Sequence, residues 1–211
     1  LGEDALTSFV GRASDGGPLA RLFNDLAGDL AGDLQDSLIG ALATGDNPIL
    51  AARALRNRYN VPLQRGKLIT RTEMLTAYRE ATRERYIENR DILKGWTWLS
   101  VLAKTTCPAC WIMHGSQHAV DERLDGHPNC RCVMVPYTKS WQELGFSDLP
   151  DTRPVIADGE TILRGKPEAF QREVLGPKAH ERWKANDIRL ADLLARKDDP
   201  RWGTMRYTRS L

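Results

Sequence analysis

All four cysteines of the chain lie between Cys107 and Cys132, in Thr106-Cys107-Pro108-Ala109-Cys110 and Gly126-His127-Pro128-Asn129-Cys130-Arg131-Cys132. A C-x-x-C pair at a turn presents two thiolates to one ion. The second group offers thiolates two residues apart on one face of a strand, with an imidazole three residues before the first of them. Soft thiolates with at most one imidazole suit a closed tetrahedral zinc site. Five donors, Cys107, Cys110, His127, Cys130 and Cys132, compete for four positions. The expectation is Cys107 and Cys110 plus two of the other three; the spacing does not choose among them. A structural zinc contributes on the order of 10 kcal/mol of apparent binding free energy, enough to fold a loop-rich hairpin that has little core of its own.

Other chemistries fit less well. A C-x-C disulfide is badly strained, and nothing argues for an oxidising compartment. A redox C-x-x-C belongs at a strand-to-helix junction of a βαβ unit, whereas this pair follows a strand and has a second cysteine cluster close by. The zinc deaminase pattern of H-x-E with P-C-x-x-C is missing: Ala119-Val120 follows His118, and Thr106 precedes Cys107. There is no H-E-x-x-H, phosphate loop, dinucleotide glycine fingerprint or G-x-S-x-G elbow. A metal-dependent nuclease would need further ligands, for which His114 and His118 are the spare pair. The expectation is therefore a protein that is not an enzyme. The alternative is a metal-dependent nuclease or a nucleic-acid-binding zinc module.

The elements that must position these residues follow from periodicity. Leu19, Leu22, Phe23, Leu26, Leu30, Leu34, Leu38 and Leu42 mark one stripe of a long amphipathic helix bordered by aspartates. Asn47-Pro48 reads as an N-cap and first helical residue of a short helix reaching about Arg58. Pro62 and Gly66 read as a loop, and Thr70-Arg71-Thr72-Glu73 as a capping box opening a helix to about Arg90. Trp96 to Leu102 and Arg131 to Pro136 are aromatic and β-branched, and predict a hairpin enclosing the first three cysteines. A Pro/Asp-rich connector runs from Pro150 to Gly159. Helical patterns follow over 167–175, 177–184 and 188–196, and the tail after Pro200 has no period. The fold class is α+β and helix-dominated: several amphipathic helices plus a small zinc-stapled β-hairpin. It divides into an acidic helical segment (1–60), a core helix with the hairpin (61–149), and a helical segment with a tail (150–211).

The 211 residues are 41% hydrophobic and 27% charged, which supports an ordinary core and argues against wholesale disorder. No run approaches the roughly 18 apolar residues of a membrane span. The chain opens on Leu1, and no secretory signal is readable there. Residues 1–50 carry eight acids against two arginines, net −6, whereas residues 51–95 carry 11 basic residues against five acids, net +6. Such segments are solvated faces or lie against each other, or the basic one meets nucleic acid or an acidic partner.

Arg71-Thr72-Glu73 on a helix, Trp96 to Leu102, the C-x-x-C with Gly115 downstream, and His127-Pro128-Asn129-Cys130-Arg131-Cys132 together resemble the phage Mu F-like head morphogenesis proteins. These are minor capsid proteins of tailed bacteriophages. The resemblance spans about residues 20–136, and a looser one continues through Phe170 to Gly176 and the helix of Trp183. Leu124-Asp125-Gly126 stands where the family commonly has a proline-type turn. The resemblance implies a low-copy virion component in the head interior near the portal, assembled in the bacterial host cytoplasm and acting in assembly, DNA packaging or delivery. Its implied partners are the portal protein, the major capsid or scaffold protein, and phage DNA through the basic 51–95 segment, with no membrane. On that reading Arg71, Glu73, Arg79 and Arg83 are expected to contact a partner.

Overall fold

The computed structural model describes residues 29–199 and 202–210. The chain forms two compact units. One comprises residues up to Thr82 with Gly126–Cys130 and Asp198–Met205; the other comprises Arg83–Asp125, Arg131–Lys197 and the residues from Arg206 onward.

The first unit is built on helices α1 (Asp29–Thr44), α2 (Pro48–Tyr59) and the greater part of α3 (Leu63–Glu88). Asn47 caps α2 as its type dictates: its side-chain oxygen accepts from the Ile49 amide at 2.9 Å, and Pro48 occupies the first turn, where no amide is needed. Asn60 ends α2 in the left-handed region, φ 52°, donating to Arg56 O. Leu38, Leu42, Leu55, Ile69, Met74 and Ala77 form the core of this unit. Each large apolar side chain buried there contributes about 1.5–3 kcal/mol. The N-terminal turns expected of the leucine stripe, before Asp29, lie outside the described residues.

Helix α3 begins directly after Pro62, seven residues before the expected capping box, so the capping-box reading is corrected. The Thr70 hydroxyl donates back within the helix to Gly66 O at 2.9 Å and also lies 2.9 Å from Pro48 O, while Glu73 is buried. A threonine in mid-helix finds the carbonyl four residues back, and the motif then marks no boundary. Gly66, read as a loop residue, is inside α3 because α2 passes close by. A Cβ there would meet Ala52 O at 3.3 Å and Ala52 Cβ at 3.6 Å.

The second unit centres on a three-stranded antiparallel sheet of order β2-β1-β3, with β1 Leu93–Leu99, β2 Gln117–His118 and β3 Val133–Thr138. The expected hairpin is present, with Trp96 opposite Pro136 and Trp98 opposite Met134, and a bulge between Leu93 and Gly95. Trp96 and Trp98 are buried on one face, and His118 stacks on Trp96 across the strands at 4.2 Å. Between β1 and β2 runs α4 (Pro108–Met113), a helix the sequence pattern did not single out. A second core gathers Trp111, Leu163, Val174, Leu175, Trp183, Leu190 and Leu193 under α5 (Gly159–Arg164), α6 (Glu168–Leu175) and α7 (Pro177–Lys184).

The helix expected over 188–196 is overturned. A 3-10 turn at Leu190–Leu193 leads into β4 (Leu194–Asp199), which pairs with β5 (Gly203–Thr208). The segment read as an aperiodic tail is thus the return strand of a hairpin. Among the described residues no helix is long and apolar enough to cross a membrane. The fold is α+β and helix-dominated, with small antiparallel sheets.

Candidate metal centre

Cys107 stands at the N-cap of α4 with extended backbone, φ −64° and ψ 151°, and its Sγ accepts from the Cys110 amide at 3.4 Å. The Cys107 carbonyl receives the amides of Cys110 and Trp111. Pro108 at the first helical position closes the turn without an orphan amide, and the Ala109 amide donates to Thr208 Oγ1 of β5 at 3.1 Å. Amides directed at a cysteine sulfur favour its anionic form. The C-x-x-C spacing is therefore one helical turn capped by its own first sulfur.

The second half of the motif is shaped by α3. Asn129 takes up the left-handed conformation, φ 65°, which asparagine tolerates better than most residues. Its amide donates to Thr72 Oγ1 at 2.9 Å, and its side-chain oxygen accepts from Arg71 Nη1 at 2.6 Å. Arg79 Nη2 donates to Cys130 O at 3.0 Å in a buried position. Three side chains along α3 thus grip two successive residues of the His127–Cys130 turn, which closes on itself through Cys130 N to His127 O at 3.0 Å.

The ligand atoms of Cys107, Cys110 and His127 lie within 4.8 Å of one another, as do those of Cys110, Cys130 and Cys132. Cys110 belongs to both groups. No disulfide joins the four cysteines. Cys110, Cys130 and Cys132 are buried. Three buried thiols with the half-buried Cys107 and His127 make a donor set that can hold a soft divalent ion.

Of the four residues expected to meet a partner, Glu73 and Arg79 are only 7% and 9% exposed and face inward. Arg71 and Arg79 hold the Asn129–Cys130 turn, and Arg83 pairs with the neighbouring Glu84 carboxylate. His114 and His118 join no metal-capable group among the described residues. His114 is buried, and its Nδ1 accepts from the Ser100 amide at 3.0 Å; burial pushes its pKa down. His118 Nδ1 meets Glu122 at 2.8 Å and its Nε2 meets Ser116 Oγ at 2.8 Å. Sequence reasoning passed over Ser100, which bonds to Cys110 O and touches Cys132. It follows β1 directly, a position that a strand-end serine within the hairpin could have signalled.

Helix, three-stranded sheet and a thiol-rich turn pair define a small α+β protein with a metal-capable centre. Residues 32–135, which contain that centre, match the model of the family described as "Phage Mu protein F like protein". Over this segment the chain is similar to the phage Mu F-like family, which suggests a phage head morphogenesis protein. No curated protein and no solved structure matches the chain.

Proposed function

We propose that the chain is a structural head protein of a tailed phage, which binds the portal from inside the head and assists assembly, DNA packaging or delivery. The match over residues 32–135 carries this reading, because it covers the helical scaffold and the thiol centre together. Zinc is the proposed ion. Its role is structural: it would fix the conformation of the cysteine-bearing turns. The mechanism is binding rather than turnover, and the protein resides in the virion.

Within the first unit, Arg53, Arg56, Arg58 and Arg65 are exposed on α2 and the first turn of α3, a positive face suited to DNA phosphates or an acidic protein surface. The testing experiment is co-purification with the portal protein of the same phage, with and without a chelator. Retention that is lost on chelation supports a zinc-dependent portal ligand. Cleavage of plasmid DNA with added Mg²⁺ or Mn²⁺, abolished by His114→Ala or His118→Ala, would replace this reading with a nuclease.

A further inference from the structure

We infer that a recess on the sheet of the second unit binds a carboxamide, the side chain of an asparagine or glutamine on a partner protein. This site depends on neither the portal nor the zinc reading.

Successive side chains of a strand alternate between the two faces of its sheet. Trp96 and Trp98 fill one face, so Thr97 belongs to the other, with Gln117 opposite it on β2 and Tyr137 on β3. Asp151, Arg153 and Val155, from the connector after Pro150, complete the walls of a recess of about 160 Å³ over these three residues. Arg153 lies over the Tyr137 ring, 5.0 Å from its centre. Thr97 is only 4% exposed. Among the described residues, no hydrogen bond is made by its hydroxyl, by the Gln117 side-chain amide or by the Tyr137 hydroxyl. A buried hydroxyl without a partner is costly, and a ligand that supplies one recovers that cost.

The walls select the chemistry of the ligand. The Arg153 guanidinium is spent: Nε meets the two Asp151 oxygens at 2.9 and 3.1 Å, Nη2 meets one of them at 2.6 Å, and Nη1 donates to Thr138 O at 3.0 Å. No countercharge is left for an anion, and the Asp151 carboxylate is already neutralised for a cation. A charged group would lose its hydration without an unspent partner. An apolar group would leave the Thr97 hydroxyl unsatisfied. A neutral group that both donates and accepts suits two hydroxyls and an amide, which each do both. The volume fits as well, since a cavity of ~150 Å³ holds a molecule of about six heavy atoms, the size of an asparagine or glutamine side chain. Val155, 97% exposed, offers apolar contact to the backbone carrying that side chain, which favours a protein source over a free amide.

The test is a titration of the whole chain with N-acetylasparagine methylamide, followed by NMR at the Thr97 methyl, the Gln117 side-chain amide and the Tyr137 ring. Saturable shifts at these groups are expected, with a dissociation constant of ~1–100 mM for so small a ligand. Acetate and methylammonium over the same range should produce none. Thr97→Val removes the hydroxyl and keeps the shape, so it should weaken binding about three- to tenfold without lowering the stability of the free protein. Acetamide should bind more weakly than the peptide amide, and Val155→Ser should narrow that difference. No saturable shift, or equal shifts with acetate, overturns the site. Undiminished affinity in Thr97→Val overturns the role of its hydroxyl, and equal affinity for acetamide and the peptide amide overturns the protein source.

Discussion

Asn129 separates two contributions that a single deletion would merge. It holds a left-handed backbone, φ 65°, and its side chain accepts from Arg71 Nη1 at 2.6 Å while its amide is tied to Thr72 Oγ1. In Asn129→Ala the backbone must hold a conformation that costs an ordinary L-residue about 1–2 kcal/mol. The Arg71 bond, worth about 0.5–1.5 kcal/mol at this exposed position, is also lost. Together these give about 1.5–3.5 kcal/mol, roughly a ten- to several-hundredfold loss in the affinity of a metal held by the His127–Cys130 turn. Asn129→Gly relaxes the backbone and loses only the hydrogen bond, so its loss is about tenfold or less. The assay is competition with a chromophoric chelator at fixed pH, with circular dichroism to confirm folding. Equal losses for glycine and alanine would refute the conformational argument; no loss in either would show that the turn does not carry the metal.

Three further outcomes follow from packing and charge. Gly66→Leu is expected to lower stability by about 1–3 kcal/mol in denaturant melts, because a side chain there is driven into Ala52 of α2. Gly66→Ala, which needs a shift of only tenths of an ångström and gains helix propensity, should stay within about 1 kcal/mol of wild type. Leu163→Ala, at a fully buried position against Trp111 and Trp183, should cost about 2–5 kcal/mol by thermal unfolding. The Glu143 carboxyl is held down to about 2 by hydrogen bonds from Lys94, the Ser140 amide and the Ser140 hydroxyl. Its folded pKa is depressed, so its contribution to stability is full above about 4.3 and disappears as the pH falls through about 2. Carbon-detected titration should show Glu143 protonating near 2 in wild type and clearly higher in Lys94→Ala with Ser140→Gly, yet still below its ordinary value because the amide of residue 140 remains a donor.

Much of the architecture was legible because local chemistry and tertiary fate agree in those places. Asn47-Pro48 caps α2 as read, and the alternation of Trp96, Trp98, Val133 and Val135 marks two strands that do pair. The misreadings share a cause. Thr70 to Glu73 has the composition of a capping box, but Thr70 is also the residue type that bonds backward inside a helix; only the close passage of α2 over Gly66 decides between them. Leu190, Leu193 and Leu194 fit a helical period over too short a span to exclude a turn feeding a strand, and the partner strand lies beyond the proline that seemed to end the pattern. At the site, spacing alone named five candidate donors, which the structure brings into two groups that share Cys110. The grip of α3 on the His127–Cys130 turn was not readable, since Arg71 and Asn129 are 58 residues apart and Arg79 and Cys130 are 51 apart in sequence. What Arg71 and Arg79 hold within the chain becomes visible only once the distant loop is in place.

The most direct test of the account is the metal content of the whole chain purified without added metal, by elemental mass spectrometry, with thiols titrated under denaturing conditions before and after chelation. The account predicts one zinc per chain and four titratable thiols, with the metal-bound ones protected until the metal is removed. A chain without metal and without titratable thiols would mean disulfides in place of the zinc staple, and would contradict the account at its centre.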